Sequence, residues 1–326
     1  MKIQRRKQFS PYATHCTRQQ RRIFGSLLTI LAFVAYTTTV WAPMVAQEHA
    51  WVGLRTIQRK KWISNSAQPF NTNGVASAAK NLIIVAGHSV TISGHLEDAN
   101  QDENDWFLLD YQRHRGLPEA IVGHIRAGIA AAQKDPTSLL VFSGGETRAA
   151  TGPETEGASY YRVTDAMQLW PSPSTVRART ITEDFATDSF ENLMFSICRF
   201  REVTGSYPNT ITVVSFSFKQ TRFQTMHAKA LRWPPNRFQY IGVDPPASTG
   251  FKLEEATKGE LENSVKPFQS DPYGCHSKIL QEKRKQRNPF SRTPPYTLSC
   301  PEMSDLLRFC GSDLIPLDKV PWGKRK

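Results

Sequence analysis

Leu82-Ile83-Ile84-Val85-Ala86-Gly87-His88 is an uninterrupted apolar run that stops at a glycine and a histidine. Ser138-Leu139-Leu140-Val141-Phe142 repeats the pattern and leads into Ser143-Gly144-Gly145-Glu146. Thr210-Ile211-Thr212-Val213-Val214 does so again and leads into Ser215-Phe216-Ser217-Phe218-Lys219. Short continuous runs of this kind fit strands buried on both faces, as in parallel sheets. Phe238-Gln239-Tyr240-Ile241-Gly242-Val243 supplies a later strand. Helical spacing fills the intervals. Pro118 to Gln133 opens with proline at the first turn and Glu119 beside it, and Ser189 to Val203 sets Phe190, Leu193, Ile197 and Phe200 at helical intervals. The alternation predicts right-handed βαβ crossovers and a three-layer α/β sandwich with a mainly parallel sheet.

Ligands of open α/β sheets bind outside the carboxyl ends of the strands, so the polar motifs at those ends point to one composite site. Ser143-Gly144-Gly145-Glu146 can turn backbone N–H groups toward an anion at the start of the next helix, or serve as a plain strand-exit turn. It is neither a dinucleotide fingerprint nor a Walker loop, so no nucleotide cofactor is implied and the cofactor is left open. His88 can titrate near neutrality, contact a substrate oxygen or be structural. Glu154 and Glu156 fall where a helix should begin, as caps or as a general base. Asp188-Ser189-Phe190-Glu191-Asn192, just after a short strand, opens another helix: Asp188 or Ser189 can cap it, Glu191 can complete a capping box, and Asn192 can orient a ligand or tie loops together. Ser215 follows the next strand. Lys219 and Arg222, three apart on a helix, share a face that can clamp a phosphate or carboxylate, or simply be solvated. Neither Ser143 nor Ser189 has an evident histidine partner, so no activated nucleophile is apparent.

The 326 residues carry a net charge of +12, with the excess concentrated at the ends. Lys2, Arg5, Arg6, Lys7, Arg18, Arg21 and Arg22 crowd the start, and Lys283, Arg284, Lys285 and Arg287 load the C-terminal part. A balanced centre argues against a general nucleic-acid-binding face. No charged residue occurs from Ile23 to Ala46, a length that crosses a bilayer. With the basic cluster on the cytosolic side, residues 1–22 form a tail, 23–46 a type II anchor and the rest a lumenal portion of the secretory pathway. A mitochondrial presequence is the main alternative, and a cleaved signal a lesser one. Residues 47–80 read as a linker, 81–250 as the α/β domain, and 251–326 as a proline-rich basic extension packed along it. Cys275, Cys300 and Cys310 allow one bridge, with Cys300 to Cys310 closing a short loop. No zinc spacing occurs, so no metal is expected.

The order of Gly87, Ser143-Gly144-Gly145, Glu156, Ser189-x-Glu191-Asn192 and Lys219-x-x-Arg222 resembles the domain of unknown function family 218, typified by the bacterial SanA, ElyC and YdcF proteins, over about residues 81 to 245. Glu156 is followed by Gly157 where the family has an alanine-like residue, Ser189 replaces threonine, and Lys219 stands at a histidine position. The lysine removes a neutral-pH acid/base and substitutes a fixed cation. The resemblance, with the extension suggesting a eukaryotic and fungal branch, implies a Rossmann-like domain, often on an N-terminal anchor, with roles in envelope or cell-surface maintenance. One member is reported to bind S-adenosylmethionine, although the glycine-rich loop and acidic ribose-binding residue of common methyltransferases are not evident here. The expected function is binding of a small anionic ligand, phosphorylated or lipid-linked, with hydrolysis or group transfer. Gly144, Gly145, Lys219 and Arg222 hold the anion, Glu156 and Glu191 act as acid and base, and Asn192 orients the substrate. A non-catalytic, membrane-associated binding or scaffold protein is the alternative.

Overall fold

The computed structural model describes residue 74, residues 76–173 and residues 175–323. The predicted tail, anchor and most of the linker lie outside the described residues. Among the described ones, no helix is long and apolar enough to cross a membrane.

Five strands, β1 (Asn81–Ala86), β2 (Ser138–Ser143), β3 (Thr180–Glu183), β4 (Ile211–Ser215) and β5 (Phe238–Gly242), form one sheet in the order β3-β2-β1-β4-β5. Every pairing is parallel, with Ile84 opposite Val141 on one side and Val213 on the other. The central strands are covered on both faces, which is why they are apolar throughout. Leu82, Ile84, Leu139, Val141, Ile211 and Val213 enter one core, and Ile83, Val85, Leu140, Phe142 and Val214 the other. Each fully buried aliphatic side chain contributes roughly 1.5–3 kcal/mol.

Helices α1 (Leu117–Lys134) and α2 (Glu156–Ala166) pack in the second core, and α3 (Ser189–Thr204) in the first. Local chemistry sets their starts. Pro118 lies in the first turn of α1, Thr155 caps α2 by accepting from the Ala158 N–H at 2.9 Å, and Asp188 caps α3 by accepting from the Glu191 N–H at 2.9 Å. The chain moves from β1 outward through β2 to β3 over one face, then returns over the other face to β4 and β5. The strand order therefore reverses between β1 and β4, and the crevice above their carboxyl ends is the topological switch point.

After β4, a short 3-10 turn at Ser217–Lys219 precedes a π-helical turn, Arg222–His227, that runs into α4 (Ala228–Ala230). Beyond β5 come α5 (Leu253–Glu260), α6 (Lys266–Ser270) and α7 (Lys278–Gln286). Phe268, Tyr273, Leu280, Tyr296, Met303, Leu306, Ile315 and Val320 join the core that holds α3. The expected Cys300–Cys310 bridge is corrected: Cys275 bonds Cys310 across 35 positions, and Cys300 is a free buried thiol beside Tyr207. Cys300 points into the core with Met303, whereas Cys275 and Cys310 face each other at its border.

Candidate functional site

Two glycines make the floor of the switch-point crevice. A Cβ at Gly87 would lie 2.5 Å from Glu156 Oε2 and 2.9 Å from the Ser143 carbonyl oxygen, and one at Gly144 would lie 2.5 Å from the same Oε2. Real side-chain atoms do not approach so closely, so the absence of side chains at both strand exits is what admits the Glu156 carboxylate. That carboxylate is 7% exposed and accepts from Thr147 Oγ1 at 2.6 Å through Oε1. Oε2 has no hydrogen-bond partner among the described residues. The Gly144 and Gly145 amides are not free to bind an anion, as the sequence suggested. They donate to the Glu183 and Ala186 carbonyls at 2.9 and 2.8 Å, tying the β2 exit to the β3 exit.

Behind this floor lies a closed polar cluster. Ser143 Oγ donates to Glu183 Oε2 at 2.8 Å and accepts from Asn192 Nδ2 at 2.9 Å, and the same amide donates to the Ser143 carbonyl at 2.9 Å. Glu183 is wholly buried and also accepts from the Tyr296 hydroxyl and the Phe185 amide, each at 2.9 Å. Burial pushes its carboxyl up to about 7, against the pull of these donors. Ser143 and Asn192 are thus positioning residues locked into the joint between β2, β3 and α3. The side chains of Ser143, expected to bind a ligand, and Asn192, expected to orient the substrate, meet Glu183 and each other here.

On the β4 side, Lys219 Nζ lies 3.3 Å from His88 Nδ1 and 5.0 Å from the centre of the Phe216 ring. His88 Nε2 lies 3.1 Å from Ser215 Oγ, and its amide donates to the Tyr160 hydroxyl at 3.0 Å. Burial, then Lys219 and His124, hold the His88 imidazole well below its usual range, so it is neutral. Lys219 is brought down to about 7 by burial and then by the Arg222 charge. Lys219 thus stands well below the ordinary lysine range, where the sequence suggested a fixed cation.

Arg222 does not join Lys219 as an open clamp. Its Nε lies 2.6 Å from Glu260 Oε1 with both side chains 7% exposed, and Nη1 donates to Ser189 Oγ at 2.5 Å. Lys219 ends the 3-10 turn and Arg222 opens the π-helical turn, and the two basic side chains reach different partners. Two arginines absent from the sequence-based set take the open positions. Arg148, just past the β2 exit, and Arg287, at the end of α7, are half-buried and have no ion pair with a carboxylate among the described residues. Burial lowers Arg148, Glu156 partly offsets this, and Arg287 adds to it. Burial and then Arg287 bring Lys283 down to about 8. The Arg287 charge also contributes to depressing His88 and Lys219.

The extension holds most of the remaining predicted residues. Arg292 pairs with Glu146, and Arg284 pairs with Asp188 at 2.7 Å and Glu191 at 3.5 Å. Glu191 Oε2 also accepts from the Thr187 amide at 2.8 Å, and Arg287 donates to the Thr187 carbonyl at 3.1 Å. Glu191 is therefore a loop tie, not an open acid or base. Ser189 has a histidine partner after all: its Oγ is 2.8 Å from His227 Nε2. His227 is fully buried among Phe190, Phe223 and Phe268, and desolvation followed by Arg222 keeps it well below its usual range.

Two open clefts lie elsewhere. One of about 620 Å³ sits at the start of α1 against Asn100, Glu103 and Thr249, and one of about 470 Å³ lies against β3 between Tyr161, Ile181 and Val203. Neither is lined by the convergent cations and the free carboxylate oxygen found over β1, β2 and β4, so the strand-end crevice is the candidate site. No group of three or more potential metal ligands occurs among the described residues. Glu183, Arg148, Arg287 and Glu260 were not among the candidate site residues read from the sequence. Arg148, three residues after Gly145, was the one with a local signal.

No protein-family model matches the chain, and no solved structure does. A 260-residue stretch is 30% identical to the uncharacterized protein YOR238W of Saccharomyces cerevisiae, covering 66% of this chain and 86% of the yeast protein. With that identity over most of the yeast protein's length, the chain belongs to the family of YOR238W.

Proposed function

We propose that this protein binds a small, multiply charged anion, a phosphorylated metabolite or the phosphate of a lipid-linked ligand, above β1 and β4, and hydrolyses it or transfers a group from it. One observation carries the reading. Lys219, Arg148, Arg287 and Lys283 come from three segments without a carboxylate ion pair among the described residues, and burial, with the charges of Arg287 and Arg222 adding to it, holds Lys219, Arg148 and Lys283 below their ordinary ranges. Holding like charges together costs stability that an arriving anion returns. Glu156, with one oxygen unengaged, is the acid/base candidate, and His88 and Ser189 border the ligand.

The motif order supports a SanA/YdcF-like relationship. Residues 23–46 serve in this reading as a type II anchor, with the α/β domain in the lumen of the secretory pathway. The Cys275–Cys310 bond favours such an oxidising compartment. Protease protection of a C-terminal tag on microsomes tests the orientation, and digestion without detergent reverses it.

The full chain, purified in detergent, should melt at higher temperature with sulfate, phosphate or diphosphate than with chloride at equal ionic strength. Arg148→Ala and Arg287→Ala should erase the difference. No anion-specific shift in the unaltered protein refutes the reading. A second reading, a non-catalytic scaffold, is favoured by the occupation of Glu146, Glu183 and Glu191 by Arg292, Tyr296 and Arg284. Glu156→Gln separates the two. Loss of the cellular phenotype with anion binding intact indicates chemistry, and retention of both indicates a scaffold.

A further inference from the structure

We propose that Lys219 is the proton-transfer group of the strand-end site, passing one proton to and from a ligand or water oxygen while the neutral His88 ring holds its amine. The assignment rests on the anion-binding reading and adds a role to it. The geometry gives the amine a definite station. Nζ is 3.3 Å from His88 Nδ1, and His88 Nε2 is 3.1 Å from Ser215 Oγ. The ammonium sets the tautomer, since it can only donate and so requires an unprotonated Nδ1. With Nε2–H donating to the serine oxygen, Nδ1 is left as an acceptor and takes one of the lysine's protons. The amine also lies over the faces of Phe216 and Phe218, 5.0 and 5.8 Å from the ring centres.

Lys219 has no ion pair with a carboxylate among the described residues. The charged and titratable groups that act on it and its partner come from every side: His88 after β1, His124 on α1, Glu156 on α2, Arg222 on the π-helical turn, Glu260 on α5 and Arg287 after α7. The two carboxylates raise its affinity for a proton, yet burial and the arginines outweigh them and leave it near 7. A desolvated lysine beside fixed cations is the recognised way to obtain a free amine near neutral pH. The step balances without a further reactant. An O–H bond of water or a ligand hydroxyl breaks, an N–H bond forms on Lys219, and the oxygen is left as the nucleophile. The reverse transfer returns that proton to a departing oxygen.

The test is trace acetylation of the full chain with acetic anhydride across pH, with the exposed Lys258 as internal standard, read by peptide mass spectrometry. Burial slows the reaction of Lys219 at every pH but leaves its midpoint unchanged. A midpoint about three units below that of Lys258 supports the assignment, since about 7 compares with about 10.4 for a free lysine. A midpoint shared with Lys258 overturns it. Sulfate, a fixed dianion over this range, provides the second arm. Binding to the unaltered protein should weaken about tenfold from about pH 6 to about pH 8, whereas Lys219→Arg should bind with little pH dependence. Equal flat binding by both proteins overturns the proton-transfer role. A low Lys219 midpoint with no sulfate binding at any pH leaves that role supported and defeats the anion-binding reading instead.

Discussion

Replacing Glu260 by alanine should be among the most damaging single changes outside the hydrophobic core. The Glu260 and Arg222 side chains are each 7% exposed and meet through Nε to Oε1 at 2.6 Å and Nη2 to Oε2 at 3.2 Å. Without the carboxylate, the guanidinium keeps Ser189 Oγ as a described hydrogen-bond partner but loses its counter-charge. Removing one member of a buried pair costs about 3–5 kcal/mol, because the other charge is left desolvated and unpaired. The described residues fall in one compact unit, for which 1 kcal/mol moves the melting temperature by about 2–4 °C, giving a fall of roughly 6–20 °C. Circular-dichroism melts of Glu260→Ala, Arg222→Met and the double variant complete the cycle. The double variant should be more stable than Glu260→Ala alone, with a coupling of about 2 kcal/mol. A Glu260→Ala protein melting within about 2 °C of the parent, or strictly additive single changes, would show that the pair is solvent-screened and refute the reasoning.

Three further outcomes follow from the site's construction. Gly87→Ala places a methyl group 2.6 Å from Glu156 Cβ and 2.9 Å from the Ser143 carbonyl, so it should cost about 1–3 kcal/mol in urea unfolding, and an unchanged midpoint would mean that the β1 exit is looser than described. Glu183 binds its proton more tightly folded, at about 7 against an ordinary 4.5, so its contribution is full below about pH 4 and disappears as pH rises through 7. Urea midpoints measured across that window should fall with rising pH in the parent and flatten in Glu183→Gln; parallel slopes would exclude Glu183 as the source. Reducing Cys275–Cys310, which closes a loop of 35 positions, should lower stability by about 4 kcal/mol by the loop-entropy relation, reproduced by Cys310→Ser, and insensitivity of the melt to reductant would contradict it.

The central strands were legible because both of their faces are buried, which forces an unbroken apolar run. β3 was only hinted at: Thr180-Ile181-Thr182-Glu183 lies at the sheet's edge, has a half-exposed middle and carries a glutamate that looks like a loop residue. The meeting of strand exits in one crevice was also legible, since the parallel topology requires it. The occupancy of that crevice was not. Glu183 owes its environment to Tyr296, 113 positions away, and Arg222 owes its partner to Glu260 on a mostly polar helix. A local pattern suggests that a side chain is available, whereas a distant segment decides whether it is already engaged. Lys219 makes the same point in reverse, since its partner His88 lies 131 positions earlier and its low proton affinity arises only on burial.

The sharing of one core by α3 and residues as late as Val320 also constrains the order in which the protein can mature. During synthesis the whole sheet leaves the ribosome before the segment that covers one of its faces, so Ile84, Val141 and Val213 must wait beside α3 with that side incompletely closed. Glu183 waits likewise for the Tyr296 hydroxyl. The crevice is therefore completed last. A chain stopped just after β5 would be an aggregation-prone intermediate with an unfinished site, dependent on chaperones until its final residues arrive.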